Sequence, residues 1–379
     1  MLRRCLLTNW KTNYTSILSY NSANKIAKPS SNFQLKTTRS IHTTNTNHAI
    51  ILVGPLAKKA AIVGARIAKY WWNKLPTHKK HNYKRMLKRH QQVVYIIALF
   101  GTGAGIYYIY NHIESVPLTG RTRLMMLSHE HLQELGKMLY DEQIQANGEH
   151  LLPTTSSQYH RVKSVVSRLI KNNGDIPQIN TLHWEINIID SNEVNAFVLP
   201  DGQIFVYKGM LSTLGNDDAL AFLLGHEMAH ALLSHAAEQL SFFNIFDLLA
   251  ALSLGLVWAL MPTDVVAAVT HWFHNSIASI CLHRPYSRKL EVEADLIGSN
   301  LATKACYDVR AATYFWEMLA NKDPSNAELE WLSTHPSHQK RADLIKERMT
   351  ELNQMWTLYE CHDRHKYHQP HPSNAYYGR

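Results

Sequence analysis

Two histidines four residues apart, His226 and His230, with a glutamate directly after the first, are the residues of this chain best suited to chemistry. On a helix, residues i and i+4 lie one turn above each other, so both imidazoles can reach one tetrahedral metal ion from the same face. In His226-Glu-Met-Ala-His230, Glu227 then stands where it can take a proton from an attacking water, as in an H-E-x-x-H zinc hydrolase. The competing meaning is a buried structural histidine pair, and the flanking sequence favours the metal. Asn216 suits a helix N-cap, Asp217 and Asp218 place negative charge in the first turn, and Ala219, Leu220, Leu223 and Leu224 form an apolar stripe leading into the motif. No Pro or Gly lies between Glu227 and Leu240, so nothing in the sequence marks a break there.

The third ligand sets the type of zinc site. An extended H-E-x-x-H-x-x-G-x-x-H site needs Gly at 233 and His at 236; Leu233 and Ala236 exclude it. His235 lies nine residues past His226, on the far side of a continuous helix, and reads as a supporting or packing histidine. The better candidate is Glu291, within Ser287-Arg-Lys-Leu-Glu-Val-Glu-Ala-Asp295. Glu291 and Asp295 are four apart on a second expected helix, so one can ligate zinc while the other hydrogen-bonds the outer nitrogen of a ligand histidine. Glu293 falls on a different face and is expected to meet solvent. Four cysteines without a C-x-x-C pair offer no zinc ligation, and sequence does not tell which of Cys281, Cys306 and Cys361 meet.

H-E-x-x-H followed by S-R-x-x-E-x-x-A-D resembles the HtpX-like and CAAX-prenyl-protease-like zinc endopeptidases. Asn195-Ala-Phe-Val-Leu-Pro-Asp-Gly202 and Ser333-Thr-His335-Pro336 with Arg341 are similar to two further blocks of that family, and the likeness covers about residues 116–350. Asp201, where many relatives carry Gly, is the one departure. Pro117-Leu-Thr-Gly-Arg-Thr-Arg123 looks most like the family's mitochondrial inner-membrane branch. The resemblance implies an α+β, mainly helical gluzincin-type domain with a small β-sheet and one Zn2+ per subunit, held by His226, His230 and Glu291. Glu227 is the expected general base, and Asp295 and Arg341 are expected to back the ligands. It also implies inner-membrane protein substrates in quality control, and activation by stress. His335, just before Pro336, is expected near the metal in one of two roles. It either donates to the oxyanion of the tetrahedral intermediate or closes the open metal position as a switch. A loop histidine that merely caps the next helix is the third reading.

The elements that must position these residues begin with a leader. No Asp or Glu precedes Glu114, whereas residues 1–113 hold 18 of the 39 Lys and Arg. The remaining 21 basic residues face 30 acidic ones, so the overall +9 hides two oppositely charged parts. A basic, acid-free start of about residues 1–40 reads as a mitochondrial presequence, followed by a basic matrix-side segment, 41–92. A nucleic-acid-binding tail is the rival reading of such charge, and the apolar run directly after it argues against nucleic acid as a partner. Val93 to Tyr110 is uncharged and about 27 Å long as a helix, enough to cross a lipid bilayer. Lys84, Arg85, Lys88 and Arg89 before it place the N-terminus in the matrix and the peptidase in the intermembrane space. Gly101 and Gly105 make a small-xxx-small face that could pair copies of the chain.

The peptidase domain is expected over residues 116–350. Leu132, Leu135, Met138 and Leu139 give a helical stripe, while 184–190 and 203–207 read as strands joined by the Pro200-Asp-Gly202 turn. Gln203 to Tyr207 is the strand expected to receive substrate as an added strand. Residues 248–261 form a shorter apolar run between Asp247 and Pro262, either a core helix or, the favoured reading, a membrane-associated one through Trp258, Trp272 and Phe273. Residues 362–379 read as a solvated tail. Two rival functions stand beside the endopeptidase. A prenyl-protein processing protease would carry several long spans, and a non-catalytic zinc scaffold or holdase would have no use for Glu227.

Overall fold

Three helices lead into the main domain in the computed structural model, which describes residues 49–261, 284–308, 310–311, 331, 335 and 338–362. They are α1 (Ala49–Lys74), α2 (Thr77–Arg89) and α3 (Gln91–Asn111). α3 is the uncharged run; none of its residues is buried, and Tyr95, Ile97, Leu99 and Phe100 all stand exposed. It is one of two described helices long and apolar enough to cross a membrane. The expected presequence (1–40), the start of the 41–92 segment and the tail from 363 lie outside the described residues, as do Trp272, Phe273 and Cys281.

A hairpin of β1 (Ile113–Ser115) and β2 (Thr122–Leu124) joins α3 to the domain. α4 (His129–Asn147) follows, capped by Ser128 through a reciprocal bond with His131, and it buries Leu135 of the expected stripe. After α5 (Ser157–Asn172) and α6 (Pro177–Thr181) come β3 (Glu185–Ile189), β4 (Ala196–Val198) and β5 (Gln203–Tyr207). The two expected strands exist, but they run parallel (Glu185 opposite Gln203, Ile189 opposite Tyr207) and so cannot be joined by a tight turn. The turn at 200–202 instead joins β4 to β5 as an antiparallel pair. Gly202 there has φ +102° and a Cβ would lie 2.8 Å from the His183 carbonyl oxygen, so only glycine fits. The order β3-β5-β4 makes β5 central. Its backbone is paired on both sides, which corrects the expectation that 203–207 receives substrate; β3 and β4 are the edge strands, and among the described residues Leu151 and Leu152 meet the outer edge of β3 while no strand pairs with that of β4.

After α7 (Lys208–Thr213) comes the motif helix, α8 (Asp217–Leu232). Leu220, Leu223, Leu224, Met228 and Ala229 on it are fully buried, packed between the sheet side and α10 (Arg284–Lys304). α8 and α10 cross where two glycines meet: a Cβ on Gly225 would lie 2.7 Å from the Gly298 carbonyl oxygen. The helix does not continue past Leu233. Ser234 adopts a left-handed conformation (φ 52°, ψ 41°), and α9 (His235–Leu260) starts afresh on a new axis.

α9 carries the 248–261 run as the end of a 26-residue helix, with Asp247 inside it. It packs in parallel along α1, where Lys58 pairs with Asp247, Lys69 Nζ donates to the Met261 carbonyl (2.8 Å), and Arg66 lies 5.0 Å over the Trp258 ring. Trp258 is thus buried in this pair, not placed at an interface as expected; Leu248, Leu249, Leu252 and Leu256 form the exposed stripe. α11 (His338–Glu347) and α12 (Met349–Leu358) close the domain, and a Cys306–Cys361 disulfide ties the end of α10 to the chain after α12.

Candidate active site

Asn216 caps α8, its side-chain oxygen accepting from the Ala219 amide at 2.8 Å, and the helix then carries His226 and Glu227 into the interior, at 0% and 3% exposure. α10 brings Glu291 to the same point, and the segment before α11 adds His335. One ligand atom from each of His226, His230, Glu291 and His335 lies within 4.8 Å of the others. His226 Nε2 and His230 Nε2 are 3.1 Å apart, Glu291 Oε1 is 3.6 Å from His230 Nε2, and His335 Nδ1 is 2.7 Å from Glu291 Oε2. Three nitrogens and a carboxylate are the donors a zinc ion prefers in a tetrahedral arrangement, and the Arg341 guanidinium stands beside them, 3.3 Å from His226 Nε2.

The groups behind the ligands fit as well. His226 Nδ1 is 3.0 Å from Asp295 Oδ1, as the sequence suggested. Arg341, 1% exposed, binds both Asp295 oxygens (2.6 and 2.8 Å) and also Glu291 Oε2 (2.8 Å). Burial opposes the charge on Asp295, but Arg341 and His226 overcome it and hold the carboxyl below its usual range. Burial likewise opposes the Glu291 carboxylate, and His335, His230 and His226 drive it well below that range. His226 is raised to about 9, its hydrogen bonds to Asp295 and Glu291 outweighing burial, while burial carries His230 well down. Both carboxylates are therefore held as anions beside the imidazoles.

Sequence reasoning passed over Trp331. Its Nε1 donates to Glu227 Oε1 (2.8 Å), and its ring stacks on His335 with centroids 4.6 Å apart. The His335 amide donates to the Trp331 carbonyl (3.0 Å), so the four-residue spacing of Trp331 and His335 was the available signal. The Trp331 amide also reaches the Val194 carbonyl (3.3 Å), directly before edge strand β4.

The profile of Peptidase family M48 matches residues 156–349, just over half of the chain, and takes in all of these residues. The chain belongs to peptidase family M48. Among relatives of this M48 peptidase is "Metalloendopeptidase OMA1, mitochondrial" of Bos taurus, 36% identical over 356 residues, covering 90% of this chain and 68% of the relative. "Mitochondrial metalloendopeptidase OMA1" of Schizosaccharomyces pombe is 32% identical over 275 residues, 72% of this chain and 77% of the relative. "Metalloprotease YcaL" of Escherichia coli is 26% identical over 195 residues, 51% of this chain and 71% of the relative. Family and ligand chemistry agree on a zinc-dependent peptide-bond hydrolase.

Two expectations fail here. Glu293 does not meet solvent: it is 7% exposed, 3.2 Å from His235 Nε2 and hydrogen-bonded by Arg121 (2.6 and 3.0 Å) and by Thr119. His235 does not point away from the motif. The turn at Ser234 swings it back, and its Nδ1 lies 3.0 Å from His230 Nδ1.

Proposed function

We propose that this chain is a zinc endopeptidase of the mitochondrial inner membrane, cleaving inner-membrane proteins in quality control and stress response. The observation carrying the proposal is the convergence of His226, His230 and Glu291 from α8 and α10, with Glu227 alongside. Those three would hold zinc, which supplies polarisation of the scissile carbonyl and acidification of water. Glu227, with one oxygen fixed by Trp331, keeps the other for the proton of the attacking water and later passes it to the leaving amine. The edge of β4 takes substrate as an added strand beside Glu227. His335 Nδ1 faces the cluster, 2.7 Å from Glu291 and 3.4 Å from His226 Nε2, which favours the switch role: it would fill the position that water and substrate need.

The mitochondrial placement rests on the acid-free basic leader and on the names of the Bos taurus and Schizosaccharomyces pombe relatives. α3 would span the bilayer once, with the basic residues of α2 in the matrix and the peptidase in the intermembrane space. Gly101 and Gly105, where an added Cβ would meet no other described segment within 4 Å, leave a face on α3 for a second copy. The Glu227→Gln protein tests the mechanism. It is expected to keep stoichiometric zinc and its fold while losing peptide cleavage by orders of magnitude; cleavage at the unsubstituted rate would refute Glu227 as the base.

A further inference from the structure

We infer that His235, Glu293 and Arg121 act together as a positioning chain behind zinc ligand His230, anchored in the hairpin that joins α3 to the peptidase. The inference rests on the ligand assignment proposed above. It begins with proton accounting. A neutral imidazole carries one N–H, so His230 can offer Nε2 to a metal only with its proton on Nδ1. That proton then points at His235 Nδ1, 3.0 Å away, which must accept. His235 consequently carries its own proton on Nε2 and donates it to Glu293 Oε2 at 3.2 Å. Glu293 also accepts from Arg121 and Thr119, so it is an ionised acceptor for every partner. Once His230 Nε2 is given to the metal, this assignment of protons is the one that satisfies each pair.

The charges behind the chain are costly to keep. Glu238 is 0% exposed and Glu293 7%; Arg121 holds both, reaching the two Glu238 oxygens at 2.6 and 2.8 Å, and Tyr286 donates to Glu238 at 2.5 Å. Apolar side chains would fill this space at a smaller desolvation cost. What they cannot do is fix a tautomer. His226 has its outer nitrogen held directly by a carboxylate, Asp295. For His230 an imidazole is interposed, and its carboxylate is gripped by Thr119 and Arg121, on the loop and strand edge between β1 and β2. The residues leaving the membrane helix thereby set the orientation of a zinc ligand.

The test uses the full chain in detergent micelles, with zinc affinity measured by competition with a chromophoric chelator and the visible spectrum recorded after cobalt substitution. His235→Phe keeps the ring volume without nitrogens and is expected to weaken zinc binding about 10- to 100-fold and alter the cobalt spectrum, with KM unchanged in the zinc-saturated protein. His235→Asn, which retains an acceptor near the Nδ1 position, is expected to recover most of the affinity. Glu293→Gln, nearly isosteric, is expected to fall between them, and it decides the matter if His235→Phe does not fold. Zinc affinity within twofold of the unsubstituted chain in His235→Phe or in folded Glu293→Gln overturns the positioning chain. So does equal zinc loss in His235→Phe and His235→Asn accompanied by a lower melting temperature of the metal-free protein, since packing alone would then explain both. His226→Ala and Glu291→Ala run alongside: if they too retain zinc, the ligand assignment itself fails, a distinguishable outcome.

Discussion

Gly225 sits one residue before His226, the first of the proposed zinc ligands, in the middle of a helix where alanine would ordinarily add about 1 kcal/mol of stability. The structure reverses that expectation. A Cβ at 225 would lie 2.7 Å from the Gly298 carbonyl oxygen, against 3.4 Å for ordinary contact, and the atom it meets is backbone. α8 and α10 must therefore part by about 0.7 Å, and overpacking of this kind costs about 1–3 kcal/mol, enough to cancel the propensity gain. The functional cost is larger than the stability cost. α8 carries His226 and His230 while α10 carries Glu291, and metal–ligand distances tolerate only about 0.2 Å of error. Gly225→Ala is expected to shift the melting temperature modestly, yet to weaken zinc binding and reduce peptide cleavage at least tenfold. Gly298→Ala, whose Cβ would lie 2.6 Å from the His226 amide nitrogen, is expected to do the same. Both open one gap, so the double variant should cost less than the sum of the singles. Chelator competition, thermal unfolding and a peptide-cleavage assay on the three proteins provide the check. Zinc affinity and turnover unchanged in Gly225→Ala would show that the spacing of the two helices does not govern the site.

His335→Ala is expected to keep zinc on three ligands and raise basal cleavage or self-cleavage; a 10²- to 10³-fold fall would instead assign His335 to the oxyanion, and no change in basal or stress-induced cleavage would leave it a loop residue. Asp247→Asn, which leaves part-exposed Lys58 without its carboxylate partner, is expected to loosen α1 from α9 at a cost of about 1 kcal/mol, while the Lys58→Asp/Asp247→Lys exchange should restore part of it; protease sensitivity of the 49–74 segment reads this out, and an unaffected Asp247→Asn would remove the ion pair as a determinant. Opening the outer membrane should expose the domain after Glu114 to added protease while the basic α2 stays protected; the reverse pattern would overturn the orientation.

The local parts of this protein are legible in its sequence because they depend on local physics. Asn216 caps α8 through its own side chain, the 93–110 run needs only length and the absence of charge, and His226, Glu227 and His230 share a face by helical period alone. That one of Glu291 and Asp295 could stand behind a ligand histidine also followed from their i, i+4 spacing; that Asp295 meets His226 came from the structure. What only the tertiary structure decided lies at junctions. Ser234 is an unremarkable residue for a turn, yet its left-handed conformation ends α8 and turns His235 back onto His230. The parallel pairing of β3 with β5 makes β5 central and passes the free edge to β4, because pairing is set by distant packing and not by alternation within a strand. Glu293 looked solvent-facing on its own helix; the β1–β2 hairpin, some 170 residues earlier, covers it and supplies Arg121. Periodicity describes one element at a time, and a buried charge is recognisable only when the element that neutralises it is in place.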